Sequence, residues 1–383
     1  MIEKKELDLL RKLCIPHTVF RTLRPDAGFS PDWKNITMYA LRQGLAPMIW
    51  YRLQKNALPE KDWHTPHAGG GDISAAFSIH PHLLRILRDS YLRTLRQYFQ
   101  IMQVLGELDR ALQGRNILCM VWKGAALADM YPAPGLRPMD DIDLLILPKD
   151  RELFADLLRE LGFAPLPHYP SLWRRGTIIL DVHEDVLHSD RIAGRKKAFS
   201  LTAADLAKDR RRMKAFAHLS TPSPDDALIC LAVHAMKHGF SREICILDAL
   251  CLMNRYPEIL SPREDFIRRI PEAGALLLLF ISLIRTWLGA DCREYRGRGL
   301  LRLVQQSGAR GRPLPHMGEV MIFLMTDSFR DRLAFLLESL FPSPETMRQI
   351  FPEGHSLLFT YPRRFLRLAK MARDFSKALL SHP

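Results

Sequence analysis

Val121-Trp122-Lys123-Gly124-Ala125-Ala126 and, shortly after it, Arg137-Pro138-Met139-Asp140-Asp141-Ile142-Asp143-Leu144-Leu145-Ile146 decide how this chain is read. An apolar run over residues 117–122 ends at a Lys-Gly pair, and a second apolar run opens with two acids separated by one isoleucine. Side chains alternate along a strand, so Asp141 and Asp143 project from one face while Ile142 points into the core. Asp140 faces away by the same parity. Two carboxylates held side by side repel unless a cation lies between them, and at the exposed start of a strand the pair reads as a hard-metal site, with magnesium the expected ion.

Around this stretch the chain alternates between strand and helix. Residues 117–122 and 141–147 read as strands, 125–131 as a short helix, and 150–161 as an amphipathic helix closed by Gly162. Residues 172–174 and 177–183 flank Arg175-Gly176 as a hairpin. All strand signals fall between residues 115 and 185, which predicts a compact sheet. Residues 1–60 look helical, with Ser30 as a cap and Pro31 at the first helical position. The loop 65–72 ends the N-terminal portion, and 82–113 carries a long amphipathic helix. After His183 the pattern is helical to the end, with Ser223-Pro224-Asp225-Asp226 as a capped helix start. The expected fold is therefore α+β and mostly helical, a small mixed β-sheet core flanked by N- and C-terminal helical regions. The boundaries are 1–75 for the N-terminal helices, 76–215 for the core and 216–383 for the C-terminal helices.

Composition narrows the class. Hydrophobic residues at 47% and charged residues at 25% are those of a globular protein. No stretch free of Asp, Glu, Lys and Arg exceeds about a dozen residues, 273–284 included, so no bilayer-spanning helix is expected and 273–284 reads as a buried helix. The first residues lack the basic start and apolar run of a secretion signal. Six cysteines (Cys14, Cys119, Cys230, Cys245, Cys251 and Cys292) are scattered with no Cys-x-x-Cys pair, which points to a reducing cytoplasm and no zinc framework. The excess of 55 basic over 42 acidic residues gives +13 and favours polyanionic partners: nucleotides, RNA or an anionic membrane surface. Residues 191–214 hold nine Lys or Arg against Asp205 and Asp209, either a solvated segment or a polyanion-binding face.

A third acid sharpens the site. Asp181, in Leu180-Asp181-Val182-His183, joins the acidic pair if its strand lies beside the one that starts at Asp141. Three carboxylates on adjacent strands can hold two magnesium ions, the minimal equipment for nucleotidyl transfer. At Lys123-Gly124 a glycine between strand and helix lets backbone N–H groups approach a phosphate, and Lys123 adds its charge.

These residues resemble the DNA polymerase β-like nucleotidyltransferase superfamily. More narrowly, Lys123-Gly124-Ala125-Ala126-Leu127, Tyr131-Pro132, Arg137, Asp141-Ile142-Asp143-Leu144-Leu145 and Leu180-Asp181-Val182-His183 are similar to the bacterial uncharacterised nucleotidyltransferase family, over about residues 80–255. The resemblance implies that Asp141, Asp143 and Asp181 bind metal and act in catalysis, with Asp181 serving the acceptor hydroxyl. Lys123, Gly124, Ala125 and Arg137 would face a nucleoside triphosphate, such as ATP. Much of the superfamily has Gly-Ser where this chain has Gly124-Ala125, so one hydroxyl contact to phosphate is missing. Arg137 either neutralises phosphate or holds the loop before Asp141 through a salt bridge.

The resemblance further implies an NMP transferred to an unknown acceptor (peptide, small molecule or RNA), with peptide natural-product synthesis as the first setting. A toxin-like tRNA nucleotidyltransferase and a catalytically degenerate nucleotide-binding scaffold are the alternatives, and the oligomeric state stays open. His234 and His238 lie one helical turn apart, with packing as their default role. Asp248 is placed to bond one of them, and His183 is a neighbour of Asp181 without an assigned role. Residues 365–379 carry an apolar seam among basic residues, either closing the helical region or lying on a membrane or RNA.

Overall fold

A computed structural model describes residues 2–15, 29–57, 74, 77–187, 201–260, 271–289, 304, 314–326, 328–351 and 357–380. Its sheet is built from β1 (Cys119–Val121), β2 (Ile142–Ile146), β3 (Ala164–Leu166), β4 (Tyr169–Arg175), β5 (Ile178–His183), β6 (Arg211–Arg212) and β7 (Ser220–Thr221). The order is β3-β4-β5-β2-β1-β7-β6; β2 runs parallel to β5 and β1 to β7, and the other pairs are antiparallel. The expected mostly helical α+β architecture with a small mixed sheet is the observed one.

All five residues of β2 are buried, as a strand covered on both faces requires. Parity sorts them. Ile142, Leu144 and Ile146 pack with Cys119, Val121, Leu180 and the partly buried Val182 in one apolar layer. That layer lies under Pro81–Leu112, through Ile101, Leu105 and Leu108, and under Arg151–Glu160, through Phe154 and Leu157. Leu145, Met120 and Trp122 belong to a second, larger core shared with the helices. Asp143, Asp181 and His183 have the parity of this second face.

Numbered along the chain, the helices are α1 (Lys4–Cys14), α2 (Trp33–Gln43), α3 (Ala46–Ala57), α4 (Pro81–Leu112), α5 (Gly124–Leu127), α6 (Arg151–Glu160), α7 (Ala203–Lys208), α8 (Pro224–Lys237), α9 (Glu243–Arg255), α10 (Pro271–Trp287), α11 (Met317–Met325), α12 (Phe329–Leu340), α13 (Pro344–Ile350) and α14 (Leu357–Leu380). The larger core joins Leu10 of α1, Ile49 of α3, Leu231 of α8, Leu247 of α9, Phe280 of α10 and Phe335 of α12. Inside it the Arg11 guanidinium donates to Glu243 at 2.7 Å, with both side chains buried, and Trp287 and Tyr39 donate to the same carboxylate.

Several sequence expectations hold in detail. The long helix, the hairpin with Arg175 opposite Ile178, and the Ser223 cap, whose side chain accepts from Asp226 N–H, are all present. Gly176 takes φ +59°, the left-handed backbone that a two-residue turn needs. Residues 273–284 lie within α10, whose leucines and Phe280 are mostly buried. No helix is long and apolar enough to cross a membrane among the described residues.

Two expectations are corrected. Strands do not end at His183, because β6 and β7 extend the sheet beyond β1. Two-residue strands are too short for alternation to register, and this edge is held by Asp109 of α4, whose carboxylate accepts from the N–H groups of Ala217, His218 and Leu219 at 3.0, 2.7 and 2.9 Å. Burial would raise the pKa of Asp109, but these bonds outweigh it and lower it. The cap of α2 is Asp32, accepting from Lys34 and Asn35 N–H, rather than Ser30. The seam of α14 is only partly covered: Phe375 and Leu379 pack on the larger core while Phe365 is 41% exposed. The loop 65–72, residues 191–200 and Cys292 lie outside the described residues; the other five cysteines are buried free thiols.

Candidate active site

The β1–β2 ladder continues one residue past β1, where Trp122 N–H donates to the Asp143 carbonyl at 3.1 Å. The chain then turns at Lys123, with φ +54° and ψ −132°, a backbone conformation L side chains rarely adopt. Leu127 N–H donates to the Lys123 carbonyl at 3.2 Å and closes the turn into α5. Gly124 follows for a steric reason: a β-carbon there would lie 2.5 Å from Nη1 of Arg137. Gly124 and Ala125 are both buried.

Arg137 is fixed in an ion pair with the buried Asp248, its own side chain 14% exposed. Its Nε and Nη2 donate to the two Asp248 oxygens at 3.2 and 2.9 Å, and Nη1 donates to the Pro138 carbonyl at 2.7 Å. Tyr131 donates its hydroxyl to Asp248 Oδ1 at 2.6 Å. Burial disfavours the guanidinium charge, but Asp248 outweighs it and raises the Arg137 pKa. Of the two roles open to Arg137, the geometry contains the salt bridge. Asp248 does not serve the histidines as expected: a planar, permanently charged fork matches a carboxylate better than a neutral imidazole does.

The acids meet across β2 and β5, whose parallel register sets Asp143 opposite Asp181. Nε2 of His183 lies 3.0 Å from Asp143 Oδ1 and 3.1 Å from Asp181 Oδ2. Lys123 Nζ donates to Asp143 Oδ1 at 2.6 Å. One ligand atom from each of Asp143, Asp181 and His183 falls within 4.8 Å of the others, the one such group of His, Cys, Asp or Glu among the described residues. Asp143 and Asp181 are each 8% exposed and His183 is 3% exposed, so water screens the two carboxylate charges little. Burial would raise the Asp143 carboxyl, but Lys123 and His183 outweigh it and hold it far below the usual carboxylate range. Asp181 is lowered in the same way, by His183 against burial. Asp141 sits just ahead of β2 and is pushed up to about 6, by burial and then by the Asp143 charge. It is electrostatically coupled to the cluster without belonging to its innermost group.

Trp122 backs this cluster. Its ring meets His183 edge-on at 5.0 Å, and Lys123 Nζ lies 4.0 Å from its centroid. On α8, His234 and His238 stack edge-to-face at 4.7 Å. Burial, then Lys123, drives His234 well below the usual imidazole value, and burial with Arg242 takes His238 down to about 4, so both are neutral near pH 7. His183 joins the two acids because it shares the β5 face of Asp181, the one mark of it in the sequence.

The donor set fits a divalent cation. Carboxylates at Asp143 and Asp181 are hard oxygen ligands and the His183 imidazole suits manganese or zinc as well as it tolerates magnesium. The ammonium of Lys123 against Asp143 marks the charge that a cation would balance. A search of curated proteins and a search of solved structures each found no match for the chain. The family described as uncharacterised nucleotidyltransferase matches residues 30–289, well over half of the 383 residues, and these include every residue of the site. The chain belongs to the uncharacterised nucleotidyltransferase family.

Proposed function

We propose that this protein is a magnesium-dependent nucleotidyltransferase that moves an NMP from a nucleoside triphosphate to an acceptor hydroxyl or phosphate. The observation that carries the reading is the Asp143–Asp181 pairing across β2 and β5, clamped by His183. Asp141, Asp143 and Asp181 would hold the metal, which when bound supplies positive charge against the phosphate oxygens. His183 bridges the two carboxylates, and Lys123, whose ammonium donates to Asp143, would add positive charge beside the phosphates. For a hydroxyl acceptor, the acceptor oxygen bonds to the α-phosphorus as the bond to the β-phosphate oxygen breaks, and the proton passes to an Asp181 oxygen while pyrophosphate leaves. The buried thiols accord with work in the cytoplasm.

The test is incubation of the purified protein with each α-labelled NTP, magnesium and a cell extract. Wild type should label one class of product and Asp143→Asn should lose at least about a hundredfold in rate, the scale of a charge-stabilising group. Full activity in Asp143→Asn would sink the mechanism. A labelled peptide would support a role in peptide natural-product synthesis. Labelled RNA would favour the tRNA reading, for which Arg210, Arg211, Arg212 and Lys214 offer exposed charge. Failure to bind any NTP with magnesium would favour a scaffold role, consistent with Ala125 in place of a hydroxyl residue.

A further inference from the structure

A cavity of about 530 Å³ lies beside the site, within the size range of small-molecule pockets. Its walls come from α4, α5, α8, α9 and the β6–β7 edge, and its apolar surface includes Tyr98, Met102, Trp122, Phe216, Leu231 and Leu252. Arg211, Arg212, Lys214 and Arg255 also line it, all four exposed, against the single carboxylate of Asp129. Apolar walls with a cationic rim select a ligand with an apolar body and an acidic head. A second observation points the same way: Trp122 is 1% exposed, and its indole N–H has no hydrogen-bond partner among the described residues. A buried donor left without an acceptor is uncommon in folded proteins.

The cavity adjoins the acid cluster without including its carboxylates. None of Asp141, Asp143 and Asp181 lines it. Lys123 and Ala125, both expected to face a triphosphate, line it too, with the Lys123 ammonium directed to Asp143. Trp122 is the shared wall, touching His183 on one side of the indole system and forming part of the cavity. We propose that this cavity is a binding site for a small amphipathic anion, an aryl or alkyl body bearing a carboxylate or sulfonate. The site goes beyond nucleotidyl transfer and does not depend on it.

The test uses the full chain and anilinonaphthalene sulfonate as the probe, read by its fluorescence without nucleotide or metal. Saturable binding is expected, displaced by decanoate and not by decylamine. The Arg211→Glu/Arg255→Glu variant, altered only at exposed positions, should bind the probe at least about tenfold more weakly with an unchanged circular dichroism spectrum. Ala227→Trp, which places bulk in the wall, should also reduce it; if that variant does not fold, the charge-reversed protein decides. Equal probe affinity in the charge-reversed protein overturns the proposal. Displacement of the probe by magnesium-ATP overturns it as well, because the cavity would then be the nucleotide site.

Discussion

A β-carbon at Gly124 would collide with an arginine that has nowhere to go, since Asp248 and the Pro138 carbonyl already hold the Arg137 nitrogens. Gly124→Ala should therefore destabilise the protein by about 1–3 kcal/mol, the usual cost of overpacking, measured by urea unfolding. A loss below about 0.5 kcal/mol, the level of a neutral surface change, would mean that the guanidinium yields easily. At this scale the sequence was most informative about acids. Strand parity puts Asp141 and Asp143 on one face, Asp181 joins them only if its strand lies beside theirs, and the β2–β5 register meets that condition by setting Asp181 opposite Asp143. It could not reveal that Lys123 would turn its ammonium onto Asp143, because a strained φ of +54° at a lysine leaves no mark in composition or spacing. The steric reason for Gly124 was equally hidden, since it depends on where Arg137 folds back.

Among the elements, the turn that carries Tyr131 and Arg137 is tied to α9 by Asp248. Asp248→Ala would leave a largely covered guanidinium without its counter-charge, and about 2–4 kcal/mol of stability should be lost, somewhat less than for a fully buried pair. A double-mutant cycle with Arg137→Met checks it: the pair should show a coupling energy, whereas strictly additive effects would count against a direct interaction. Nothing local foretells this contact, for its partners are 111 residues apart. Helix α8 carries a pH dependence of its own. Folding lowers the His238 pKa from 6.5 to about 4, through burial, then Arg242 and Lys237. Between those values the unfolded chain binds a proton that the folded chain refuses, so stability falls as pH drops through that window and returns as pH rises. Urea midpoints at pH 7 and pH 5 should show this loss, and His238→Gln should flatten the dependence. A profile unchanged by the substitution would assign the effect elsewhere, His234 being the nearest group shifted in the same direction.

Across the whole molecule, helices from both ends of the chain share one apolar core, with the Arg11–Glu243 pair inside it. Glu243→Ala should cost about 3–5 kcal/mol, because it strands a buried guanidinium. Calorimetry should show one transition moved to lower temperature rather than a separate early melting of α1; a split endotherm would mean that the N-terminal helices unfold on their own. Fold class was readable from the sequence because long amphipathic periods and a few apolar runs dominate it. The extra strands at the β1 edge were not, since pairing and the Asp109 carboxylate create them rather than any strand preference in Arg211-Arg212. The same ion pair also sets a timetable for synthesis. Arg11 meets Glu243 across 232 residues, and at a ribosomal pace of about 5–20 residues per second that interval lasts on the order of 10–50 s. Until α9 emerges, the nascent N-terminal helices carry an arginine on a face meant for burial with no acid to meet it, so their packing into the shared core waits for α9.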